Sequence, residues 1–94
     1  MGTREAKVET YLDHQITLLG GLTRKWVNPA RRGAPDRIVV LAGLVAFVEV
    51  KTVDGVLSPH QRREHERLRQ AGAHVHTVYG AAGVDRFIEW IQQQ

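Results

Sequence analysis

The sequence predicts an α/β domain with the element order α-β-β-β-α-β-α, a mixed central sheet flanked by helices. Three observations carry that expectation. A capped segment with an apolar stripe opens the chain, two runs rich in Val and Ile meet across Ala42-Gly43, and the last third alternates helical and strand patterns. At 94 residues, residues 1–94 make one small domain. Its 43% apolar and 24% charged residues are ordinary for a soluble globular protein and exclude a disordered or fibrous class.

Thr3 caps a first helix that runs to about Leu19, and Gly20-Gly21 stops it. Val8, Leu12, Ile16 and Leu19 recur at helical spacing and form one apolar stripe, with Glu5 on the stripe and Glu9 toward its edge. A carboxylate aimed at a core is costly unless a cation or donors meet it. Leu22 to Val27 reads as a short strand, followed by a loop from Asn28 to Pro35 whose Pro and Gly residues oppose helix and sheet alike. Ile38 to Leu41 and Leu44 to Lys51 read as a hairpin turning at Ala42-Gly43. Both of its faces are apolar, so it needs helices above and below.

Ser58-Pro59-His60-Gln61 opens the second helix with a cap, a proline at the first position and a glutamine at the third. Gly72 ends it near Ala71. Ala73 to Tyr79 alternates into a further strand, Gly80-Ala81-Ala82-Gly83 reads as a turn, and Val84, Phe87, Ile88 and Ile91 mark a C-terminal helix.

The absence of cysteine excludes disulfides, thiolate metal sites and cysteine nucleophiles. The apolar run from Ile38 to Val50 is far shorter than the roughly 20 residues of a membrane span, and no signal peptide is visible. A cytoplasmic protein without a membrane partner is expected. The net charge is +3, and its distribution is uneven. Arg24, Lys25, Arg31, Arg32 and Arg37 stand against Asp36 alone, and Arg62, Arg63, Arg67 and Arg69 against Glu64 and Glu66. Such clustering suits a polyanion such as nucleic acid, or simply a solvated positive face.

A two-residue turn at Ala42-Gly43 would set Leu41 opposite Leu44, Val39 opposite Ala46 and Asp36 opposite Glu49. Like charges directly opposed, with Cβ atoms about 5 Å apart, destabilise a sheet unless a cation lies between them. Strand alternation adds Lys51 to the same face. Two readings follow. In the first, Lys51 simply pairs with one of the acids; in the second, the acids hold Mg²⁺ or Mn²⁺, hard cations commonly bound by one or two carboxylates, water and substrate phosphate. In the second, Lys51 is an ammonium that orients the attacking water or offsets transition-state charge.

Arg4-Glu5-Ala6-Lys7-Val8, Gly20-Gly21, Arg32-Gly33-Ala34-Pro35-Asp36-Arg37, Phe47-Val48-Glu49-Val50-Lys51 and Ser58-Pro59-His60-Gln61, in that order, resemble the VRR-NUC branch of the PD-(D/E)XK nuclease superfamily. The resemblance spans residues 4 to 80. It implies a restriction-endonuclease-like core and a divalent-metal-dependent phosphodiesterase. Asp36, Glu49 and the Val50 carbonyl would bind metal, Lys51 would serve the nucleophile, Glu5 would contribute directly or through water, and Gln61 would lie near the scissile phosphate. Gln61 also completes the cap with Ser58, so either role or both fit. Small stand-alone members, typical of phages and bacteria, resemble homodimeric resolvases that nick four-way DNA junctions. That implies a bacterial or phage-infected cytoplasm and branched DNA as partner. Lys25, Arg31, Arg32, Arg37 and Arg62 are the candidate phosphate grips. A flap, nick or duplex nuclease and a non-catalytic DNA-binding module are the alternatives.

His74 and His76 alternate on one strand face and read as packing residues; His14, His60 and His65 are isolated. Trp26 and Trp90 read as core or interface.

Overall fold

The structure, a computed structural model, describes residues 3–94. Its elements are α1 (Arg4–Leu18), β1 (Leu22–Lys25), β2 (Arg37–Leu41), β3 (Leu44–Lys51), α2 (Pro59–Gln70), β4 (His74–Tyr79) and α3 (Gly80–Gln92). The expected order holds throughout. The strands form one mixed sheet in the order β1-β2-β3-β4, antiparallel except for the parallel β3–β4 pair that α2 connects.

α1 and α2 start where local chemistry dictates. Thr3 Oγ1 accepts the Ala6 N–H at 3.0 Å, and Ser58 and Gln61 form a reciprocal capping box ahead of Pro59. α3 has no side-chain cap and follows β4 directly. The expected turn at Gly80-Ala81-Ala82-Gly83 is instead its first turn, with Ala81 and Ala82 as good helix formers.

The β2–β3 register is set by the turn. Ala42 (φ 53°) and Gly43 (φ 82°) both occupy the left-handed region, as a two-residue type I′ hairpin requires. Leu41 therefore pairs with Leu44, Val39 with Ala46 and Arg37 with Val48.

The core lies between the sheet and the α1/α3 layer. Leu12 and Ile16 of α1 and Val84, Phe87 and Ile91 of α3 pack on Val39, Leu41, Ala46, Val48, Val50 and Val78. Tyr11 Oη donates to Asp85 Oδ1 at 2.5 Å, tying α1 to α3. Cover on the opposite face is incomplete, contrary to expectation. α2 packs toward β4, and Leu22, Val40 and Val45, which face one another across three strands, stay 54%, 38% and 49% exposed. His76 packs its ring on Trp90 at 4.1 Å and on Phe87 at 5.1 Å. Burial, with the Arg69 and His74 charges, pushes its pKa down, as befits a packing residue.

Candidate active site

Asp36 stands just before β2, and its peptide joins two strands. Its carbonyl accepts the Trp26 N–H at 2.9 Å, and its side-chain Oδ1 accepts the Val50 N–H from β3 at 3.3 Å. The hairpin register, carried one step past Arg37–Val48, places Asp36 opposite Glu49 as expected. The preceding loop is fixed by contact with α2. Gly33 lies at φ +85°, and a Cβ there would come within 2.3 Å of the His60 carbonyl oxygen and 2.8 Å of the Gln61 nitrogen. Only glycine allows that approach.

Glu49 is 4% exposed and is held through one oxygen. Oε2 accepts the Gln61 side-chain N–H at 3.1 Å and lies 4.0 Å from Lys51 Nζ. Oε1 faces His65 Nε2 at 3.6 Å, beyond hydrogen-bond range, and is buried without a hydrogen-bond partner. Gln61 thus serves the cap and the site together: its Oε1 accepts the Ser58 N–H at 2.9 Å while its Nε2 reaches Glu49.

Burial and the facing Glu49 carboxylate push the Asp36 pKa from the ordinary 3.8 up to about 7. The Val50 N–H opposes the shift, and Glu9 and Glu5 add smaller upward contributions. Two acids enclosed in this way favour a cation between them. An orphaned buried carboxylate oxygen, a facing acid that resists ionisation and the hard-oxygen character of both groups fit Mg²⁺ or Mn²⁺. Among the described residues, no three His, Asp or Glu side chains converge closely enough to hold an ion by themselves. The remaining ligands would be backbone carbonyl, water or phosphate.

Two expectations are corrected by geometry. Glu5 is exposed rather than buried. The stripe sinks along α1, from exposed Glu5 through half-buried Val8 to fully buried Leu12 and Ile16. Glu9, one turn deeper than Glu5, meets the sheet, with Oε1 at 3.5 Å from Arg37 Nε. Arg37, expected among the phosphate grips, is 9% exposed and also binds Asp13 at 3.0 Å. Adjacent residues along a strand face opposite ways, so Arg37 turns toward Glu9 and Asp13 while Asp36 turns toward Glu49 and the Val50 N–H. Lys25, Arg32 and Arg62 are exposed, as is Arg31, whose Nε lies 3.9 Å from Glu64.

Sequence reading missed the Gly33 contact and His65. The second had a signal: His65 follows Gln61 by four residues and so shares its face of α2.

No family profile matches the chain. The phage protein "Putative nuclease p44", from Acyrthosiphon pisum secondary endosymbiont phage 1, is 42% identical over 73 residues, covering 77% of this chain and 78% of that protein. A solved structure described as "VRR_NUC domain" superposes with a TM-score of 0.85 at 41% identity, covering 94% of this chain and 97% of the other. The chain belongs to the VRR-NUC nuclease family. A second solved structure, described as "VRR_NUC domain protein", shares the fold at a TM-score of 0.71 and 16% identity, covering 95% of this chain and 88% of that one. In this VRR-NUC chain, Asp36, Glu49, Lys51 and Gln61 lie together where β2, β3 and the start of α2 meet. No helix among the described residues is long and apolar enough to cross a membrane.

Proposed function

We propose that the protein is a divalent-metal-dependent endonuclease of the PD-(D/E)XK type that nicks branched DNA, four-way junctions above all, as a homodimer. The observation that carries this reading is the enclosure of Asp36 against Glu49 beside Lys51, which holds Asp36 near pKa 7. A structural ion pair has no need of a second, half-buried acid, and a binding module gains nothing from its cost.

Asp36, Glu49 and the Val50 carbonyl would hold Mg²⁺ or Mn²⁺, with Glu5 contributing through water. The ion supplies activation of water and neutralisation of charge on the phosphate. Lys51, anchored by Glu49, presents its ammonium to the attacking water and to the charge that grows in the transition state. Gln61 fixes the Glu49 carboxylate and reaches the edge where the scissile phosphate would lie. Lys25, Arg31, Arg32 and Arg62 grip flanking phosphates, which favours recognition by shape over base reading.

The exposed row Leu22, Val40 and Val45 supports dimerisation, since a contiguous apolar strip on a sheet face suits burial by a second copy. Paired sites would match the symmetry of a junction.

The test is cleavage of labelled four-way junction, flap and linear duplex in Mg²⁺, Mn²⁺ and chelator. Symmetric nicks on the junction in either metal, none in chelator, are expected. Preference for flaps or duplex would keep the chemistry and change the substrate. Binding without cutting under every condition would replace the enzyme by a DNA-binding module.

A further inference from the structure

α2 is an unusual packing helix. Of its 12 residues the only ones buried are Glu64 and His65, both polar. His65 is fully buried, and neither ring nitrogen has a hydrogen-bond partner. An apolar side chain of similar size would occupy that space without the cost of stripping two imidazole nitrogens of water. Among the described residues, the only acidic oxygen within 4.0 Å of a ring nitrogen is Glu49 Oε1, itself buried and unpartnered, 3.6 Å from Nε2. Thr77, the parallel-register neighbour of Glu49 on β4, also buries a hydroxyl without a partner. Unpaired donors and acceptors therefore gather around one carboxylate.

We infer that His65 is a positioning residue for Glu49: its Nε2–H restrains Oε1 while Gln61 restrains Oε2, so one face of α2 clamps both oxygens of the carboxylate. The two arms sit four residues apart, one helical turn, and they grip the same group from the same side. A closure of about half an ångström brings the His65 contact into hydrogen-bond range. With both oxygens restrained, the carboxylate cannot rotate away from Asp36, and its free lone pairs stay aimed at the space between the two acids. A clamp of this kind acts before any substrate arrives, so its effect falls on ion affinity first and on turnover through it. This inference rests on the metal-dependent reading above.

Mn²⁺ titration by calorimetry, without DNA, tests it on the full chain, His65→Leu and His65→Gln. Partners of this kind set metal affinity by about 10- to 100-fold. His65→Leu should therefore weaken Mn²⁺ binding by about 10-fold or more. His65→Gln, which keeps a side-chain N–H of similar reach, should stay within about threefold of the unchanged protein, well short of that loss. In cleavage assays at limiting Mn²⁺, His65→Leu should lose kcat while KM for DNA holds, and excess Mn²⁺ should restore the rate. A purely structural role would lower the melting temperature and leave Mn²⁺ affinity unmoved. If His65→Leu does not fold, His65→Met carries the same comparison. Equal Mn²⁺ affinity in the apolar variant and the unchanged protein overturns the inference and leaves the nuclease reading standing, as does a His65→Gln variant as weak as His65→Leu. An unchanged protein that neither binds Mn²⁺ nor cuts overturns both.

Discussion

One amide of Gln61 joins the cap of α2 to Glu49: its oxygen accepts the Ser58 N–H at 2.9 Å while its nitrogen donates to Glu49 Oε2 at 3.1 Å. The position of the helix start and the orientation of the acid are thus one constraint. Gln61→Glu keeps the capping oxygen and replaces the donor with a second carboxylate facing Glu49. We expect cleavage to fall by about 10- to 100-fold with helix content retained. Gln61→Ala should also lose the bond to the Ser58 N–H, one half of the capping box, at most about 1 kcal/mol in denaturant unfolding. Circular dichroism alongside a cleavage assay separates the two effects, and full cleavage by Gln61→Glu with loss only in Gln61→Ala would show that the cap alone matters.

Gly33 sets the Asp36 loop on α2. Gly33→Ala must leave φ +85° or drive its methyl into the His60 carbonyl, which lies 2.3 Å from the added carbon. Left-handed backbone alone costs a non-glycine residue about 1–2 kcal/mol, and the clash adds to it. The loop should lift, so cleavage should fall further than thermal stability does. An alanine variant of full activity would show that the loop is not held there.

The pKa of Asp36 gives the metal-free protein a definite pH profile. A folded-state value of about 7, against the ordinary 3.8, means that the folded protein holds this proton more tightly than the unfolded chain. The resulting stabilisation is complete below about pH 4 and is lost as pH rises through about 7. The melting temperature of metal-free protein should therefore fall over that window, and Asp36→Asn should flatten the fall. Mn²⁺ at 100 times its dissociation constant should restore about 2.7 kcal/mol at pH 7.5, far less in Asp36→Asn. A wild-type profile matching the Asn variant would contradict the shift.

Arg37 and Arg32 should part company although they are five positions apart in one basic segment. Arg37→Met leaves Glu9 and Asp13 without their cation and should cost about 3 kcal/mol of stability, with little change in the salt dependence of DNA binding. Arg32→Ala should leave the melting temperature alone and weaken DNA binding, lowering the slope of log affinity against log salt by about 1. The reverse pattern would restore Arg37 as a phosphate grip.

The site was legible where local rules act over a few residues. Ala42-Gly43 fixes the turn, the turn fixes the register, and the register sets Asp36 against Glu49; Ser58 and Gln61 likewise announce the helix start. What failed was depth. A helical wheel gives the face on which Glu5 lies but not where the sheet beneath it ends, so it could not tell that Glu9 reaches Arg37 while Glu5 stays exposed. Segment charge counts hid the alternation that turns Arg37 away from Asp36. The contact between Gly33 and His60 joins residues far apart in sequence and leaves no periodic trace.

The most direct test is anomalous diffraction from crystals soaked in Mn²⁺. A peak is expected between the Asp36 and Glu49 carboxylates, with Lys51 beside it. Well-ordered side chains in these positions and no peak at saturating Mn²⁺ would contradict the metal-dependent reading.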